Sequence, residues 1–164
     1  MRLSSLAGTR GYLLGMAVAF VVALSALGFG LFVDDYLFIA SLEGKNPIGS
    51  PFDLYCFGAG DAELNRPLIQ NGPYPWFGDL DFKAHFFRPL SCALMALDHK
   101  LFGHFALAYN AHSALWYMLL AFSAMLVFRR TLPPAVGVLA LLLFAVDESH
   151  VLPAVWWANR HSLI

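Results

Sequence analysis

Three stretches of the chain are long and apolar, and what separates them is of a different kind. Residues 11–33 read GYLLGMAVAFVVALSALGFGLFV without a charge, enough for the ~20 residues a helix needs to cross a ~30 Å hydrocarbon layer. This pattern predicts a first membrane span over residues 11–33. Arg2 and Arg10 precede it as they would in a secretory leader, but leaders usually have apolar runs of only ~7–15 residues, so an uncleaved anchor is expected. A second span is expected over residues 105–128, interrupted only by Asn110 and His112 and stopped by Arg129 and Arg130. The third, residues 134–152, opens at Pro134, where proline suits a first helical turn. Its apolar core ends at Val146 and is only about 20 Å long at 1.5 Å per residue. Asp147 and Glu148 must therefore either cap it near the interface or enter a polar cavity.

The intervening residues 34–104 are neither span nor low complexity. Residues 44–78 are rich in Gly, Pro, Asn and Asp, a composition of turns and irregular backbone in which no buried strand is expected. From His85 onward, Phe87, Leu90, Leu94, Leu97 and Leu101 fall on one stripe, with Arg88, Ser91, Asp98 and Lys100 away from it. That spacing predicts an amphipathic helix too polar to span, lying along the outer membrane surface or packed on other external loops.

Composition agrees with the pattern: 59% of the 164 residues are hydrophobic and 13% charged, about half the charge of an ordinary soluble domain. The net charge of −1 offers no basic surface for nucleic acid. Its distribution is informative. Arg2, Arg10, Arg129 and Arg130 flank the spans with no acid among them, whereas residues 34–104 hold nine acids and five Lys or Arg. The positive-inside rule puts the N-terminus and the 129–134 hairpin in the cytoplasm and the long loop outside. Asp34 and Asp35 then share a membrane face with Asp147, Glu148 and His150. Cys56 and Cys92 both fall in the outer loop, where a disulfide and two unpaired thiols are both open readings.

The adjacent acids Asp34 and Asp35 stand out because the chain becomes apolar again after them, which holds them at the surface; the simpler reading is a solvated helix end. Asp147, Glu148 and His150 have the carboxylate and imidazole chemistry that divalent cations accept, or that a general base needs. Here too a water-facing helix end is the simpler reading. Asp79 and Asp81 follow a glycine and read as turn chemistry. Asn110 and His112 read as interhelical hydrogen-bond partners. No glycine-rich phosphate loop, H-E-x-x-H or C-x-x-C is present.

Taken together, FVDDYLFI, FFRPLSCALMALDHKLFGHFALAYNAHSALWYMLLAFSAMLVFRR and LLLFAVDESHVLPAVWWANRHSLI resemble the N-terminal part of a GT-C class membrane glycosyltransferase. The likeness is to the protein O-mannosyltransferase-like branch that includes the transmembrane and tetratricopeptide-repeat proteins. It implies an all-α polytopic bundle with an extracytoplasmic active site. A polyprenyl-phosphate-linked sugar would be the donor, and a protein or glycan hydroxyl the acceptor. The family's catalytic acid pair falls on Asp34 and Asp35, one of which would take the acceptor's proton. Arg88, Arg160 or a divalent cation such as magnesium or manganese would offset charge on the departing lipid phosphate. Relatives carry HPxHVE near the third span. Here Asp147 and Glu148 replace His-Pro and Leu152 stands at the glutamate, while His150, Trp156 and Arg160 match.

The resemblance further implies a single module over residues 1–164, the N-terminal piece of a larger protein, inactive by itself. The competing expectation is a non-enzymatic polytopic membrane protein, such as a transporter or assembly-factor fragment, whose acids face water or relay protons.

Overall fold

The fold is that of a computed structural model, which describes residues 2–72 and 74–164, and only the backbone at residues 2–7 and 33. The Arg2 side chain used in the orientation argument thus lies outside the described set. The chain is mostly helical and forms two compact units, one built from the chain up to Leu31 together with Phe105–Ile164, the other from Phe32–His104.

The first unit is a bundle of α1 (Arg2–Ala26), α5 (Ala106–Thr131), α6 (Pro134–Val146) and α7 (Glu148–Val155), closed by a 3-10 turn at Trp157–Ser162. Of these, α1 (over Gly8–Ala26) and α5 are long and apolar enough to cross a membrane, and α6 with α7 forms a third candidate bent by 43°. Small residues make the contacts. Ala19, Ala23, Ala121, Ala145 and Ala154 are buried around Tyr117, whose hydroxyl donates to the Ala145 carbonyl at 2.5 Å. A Cβ at Gly11 would stand 2.7 Å from Val138, and one at Gly15 2.7 Å from Leu141, so α1 approaches α6 through a glycine seam. In hydrocarbon such close backbone approach substitutes for the missing hydrophobic drive between helices. Leucines and valines instead face outward: Leu13, Val21, Leu119, Leu139 and Leu143 are all exposed.

The second unit contains α2 (Val33–Leu42), β1 (Cys56–Ala59), α3 (Ala62–Gln70), β2 (Lys83–His85) and α4 (Pro89–Phe102). β1 and β2 pair antiparallel with Cys56 opposite His85 and Ala59 opposite Lys83, and the register slips between Cys56 and Gly58. The core is aromatic and aliphatic, with Phe38, Leu54, Tyr55 and Met95 almost inaccessible. Asn65, on α3, stitches the unit together. Its amide nitrogen donates to the Leu80 and Phe82 carbonyls at 2.7 and 2.9 Å, while its oxygen accepts from the Ala59 N–H at 3.0 Å.

Several expectations change. The first helix ends at Ala26 rather than at residue 33, because residues 27–32 leave the helix and α2 begins afresh. The supposedly irregular stretch 44–78 contains a strand and a helix, β1 and α3, and β1 pairs with β2 further along, so the chain is not purely α-helical. The third span breaks at Asp147 instead of running to residue 152. Of the two readings left open for Cys56 and Cys92, the structure has the unpaired thiols, both buried. Asn110 donates to the Phe29 carbonyl in the segment after α1 rather than to another helix. His112 accepts from Trp116 one turn along its own helix at 3.1 Å.

Candidate functional site

Asp34 and Asp35 occupy the first turn of α2, where the helix dipole and the unsatisfied N–H groups favour negative charge. Their situations differ. Asp35 is fully buried and its carboxylate accepts the Phe32 backbone N–H at 2.8 Å. It thereby fixes the start of the helix, as an acidic third residue does in a capping box. Asp34 is half-buried, and burial pushes its carboxyl above the ordinary carboxylate range.

Sequence reasoning missed Tyr74. Burial pushes its phenol up to about 12, with the charge of Asp34 as the next cause, so the acid and the phenol sense each other. The hydroxyl is buried and has no hydrogen-bond partner among the described residues. Tyr74 also lines a cavity of about 310 Å³ together with Phe57, Asn65, Ile69, Asp79 and Phe82. The Asn65 stitch holds this wall in place, since it bonds the backbone on both sides of Asp81. Asp79, read from the sequence as turn chemistry, does accept the Asp81 N–H at 3.0 Å and at the same time faces the cavity. The only sequence signal for Tyr74 was its place in a Gly-Pro-Tyr-Pro turn, which fixes a backbone but names no function.

Arg88 stands immediately before the first turn of α4, with its guanidinium 4.7 Å from the Tyr55 ring centroid and 5.2 Å from that of Phe86. Stacking over aromatic faces orients such a group. Near the far end of α2, Glu43 accepts from Lys45 at 2.6 Å and lies 2.9 Å from His104 Nε2 and 3.7 Å from His99 Nε2. The Lys45 hydrogen bond chiefly holds the Glu43 carboxyl below its usual range.

The other expected residues belong to the first unit. Asp147 is the N-cap of α7, accepting from the Ser149 N–H at 2.8 Å and the Ser149 hydroxyl at 2.5 Å. Glu148 is exposed, His150 packs its ring 4.1 Å from that of Phe144, and Arg160 is fully buried. Among the described residues no three His, Cys, Asp or Glu side chains are arranged to hold a metal ion. Asp34, Asp35 and Arg88 therefore share one unit, while Asp147, Glu148, His150 and Arg160 share the other.

Comparison with protein-family models, with curated proteins and with solved structures gave no match.

Proposed function

We propose that the chain acts in extracytoplasmic transfer of a sugar from a polyprenyl-phosphate-linked donor to an acceptor hydroxyl, with Asp34 as the general base. The observation that carries this reading is the contrast within the acid pair. Asp35 is buried and engaged in fixing the helix, whereas Asp34 is half-buried, of raised proton affinity, and electrostatically in touch with a phenol that lines a cavity. A hydroxyl is a weak nucleophile until its proton is taken, and a carboxylate of raised pKa takes it more readily. Arg88, oriented by two rings in the same unit, is the residue that would meet the charge on the departing phosphate. Among the described residues Asp147, Glu148 and His150 are not gathered into a metal-holding set, and the proposal assigns them no role.

The test is turnover of tritiated polyprenyl-phosphate-linked sugars, mannose among them, by the full-length enzyme carrying residues 1–164 in proteoliposomes, offered peptide and glycan hydroxyls. Asp34→Asn is expected to lower donor consumption by a factor of ~100 or more, the usual worth of a general base. Asp35→Asn should retain most of the rate per folded molecule. Full turnover by Asp34→Asn, or loss of turnover by Asp35→Asn and not by Asp34→Asn, would remove the proposal. The non-enzymatic reading draws on one observation of its own, that Asp35 and Asp147 both serve as helix caps. It expects no donor turnover by any variant.

A further inference from the structure

The helix α4 is built inside out for a helix in water. Ser91 and Asp98 are buried together with Cys92 and Met95, and the residues exposed along α4 are Pro89, Leu90, Ala93, Leu97, Lys100 and Leu101. Leu90 is 62% exposed, Leu97 48% and Leu101 65%, and Phe87 just before the helix is 86% exposed. Leu90, Leu97 and Leu101 fall on one line of the helix, since seven and eleven residues bring a helix back to nearly the same side. A soluble helix turns such a stripe inward; here the polar residues take the inward positions and the stripe is left open.

We infer that this face of α4 is seated in the interface of a lipid bilayer. Three observations choose lipid over a protein. The first is covalent: α4 ends at Phe102 and the apolar 26-residue helix α5 begins at Ala106. Four extended residues reach at most about 14 Å, so if α5 spans, the end of α4 stands no farther than that from where α5 enters the bilayer. The second is length: with 14 residues α4 falls short of the ~20 needed to cross, which leaves the surface as its place. The third is charge. The exposed face of α4 carries no acid, because Asp98 is turned inward, and its one charge is Lys100 in the last turn. A leucine stripe with a flanking cation suits acyl chains beneath phosphate headgroups.

The seat also bears on α2, which packs against α4, and whose capping residue Glu43 reaches His99 and His104 at the end of α4. Lipid seating of α4 would hold the acid-bearing helix at a set depth, whether or not Asp34 does chemistry.

The experiment uses the full chain in vesicles of phosphatidylcholine and phosphatidylglycerol. Single cysteines at Leu97, Leu101 and, on α3, Glu63 each carry a fluorescent label, and the unaltered chain with its buried Cys56 and Cys92 is labelled in parallel as background. All three positions are exposed, so the labels leave the core untouched. Labels at 97 and 101 are expected to lose most of their fluorescence to brominated acyl chains and almost none to iodide in the water, with the opposite at 63. Iodide quenching at 97 and 101 equal to that at 63 would place α4 in water and overturn the inference. Protection from both quenchers would overturn it in favour of a protein cover, either a second copy or another partner.

Discussion

The two compact units differ in how their helices meet. In the bundle, alanine and glycine stand at the helix contacts beside buried Tyr109, Tyr117, Asn110, Trp157 and Arg160, and leucine, valine and phenylalanine are displayed along the long helices, while the Phe32–His104 unit buries Phe38, Leu54, Tyr55 and Met95 along with Asp35, Asn65, Ser91 and Asp98. In a hydrocarbon solvent apolar surface costs nothing outside, and close backbone contact is what holds helices together. In water a small unit relies on aromatic burial and on polar groups whose hydrogen bonds are complete. The small-residue seams of the bundle fit the first case and the aromatic core of the Phe32–His104 unit the second, and α4 displays leucines as the long helices of the bundle do.

The comparison can be broken most severely at the glycine seam. Gly15→Leu forces atoms into Leu141, whose side chain lies 2.7 Å from where the new Cβ would stand, and should cost about 3 kcal/mol or more, as overpacking does at its upper end. A thermal melt of the full chain in bicelles measures it, with Leu13→Ala on the exposed face as the contrast, expected within about 0.5 kcal/mol of wild type. A loss confined to the other unit is expected from Asn65→Ala. The Leu80 carbonyl and the Ala59 N–H lose this partner, while the Phe82 carbonyl keeps the Gly60 N–H, at about 2 to 3 kcal/mol. Hydrogen exchange should then quicken in Phe32–His104 and stay slow in α1 and α5.

Within the acid pair the effects should differ in sign. Asp35→Ala removes the contact to the Phe32 N–H and should cost about 1 kcal/mol, the usual worth of a helix-start hydrogen bond. Asp34→Asn should give the smallest effect, a gain. Burial raises the Asp34 carboxyl above its ordinary value of 3.8, so the native state holds this proton more tightly than the unfolded chain does. Stability is lost as pH rises from that value through the raised one. The asparagine variant should therefore melt above wild type at pH 7, and the difference should vanish below about pH 4, which differential scanning at several pH values would show.

The spans were legible because long apolar runs need no tertiary information, and the short third core correctly flagged Asp147 as a place of change. The end of the first helix was not. Residues 27–32 are as apolar as those before them, and only Gly28 and Gly30, each unfavourable by ~1 kcal/mol in a helix interior, hint at the break. α3 was masked by Pro67 inside it, although Asp61 caps it through the N–H groups of Glu63 and Leu64. The β1–β2 pair is short and joins segments far apart in sequence, so no local pattern announces it. For α4 periodicity found the stripe, but periodicity does not say which side is inside. Asp34 was picked out by its neighbour and its setting; its difference from Asp35, and its link to Tyr74, exist only once α2 and the 74–82 loop fold together.

The most direct test of the central claim, that Asp34 and not Asp35 carries proton transfer, is the pH dependence of donor turnover by the full chain with both asparagine variants in parallel. The account predicts an acid limb whose midpoint lies above 3.8, the ordinary value for this group. Asp35→Asn should preserve the limb, and Asp34→Asn should lose both the limb and most of the rate. An acid limb that survives unchanged in Asp34→Asn would contradict it.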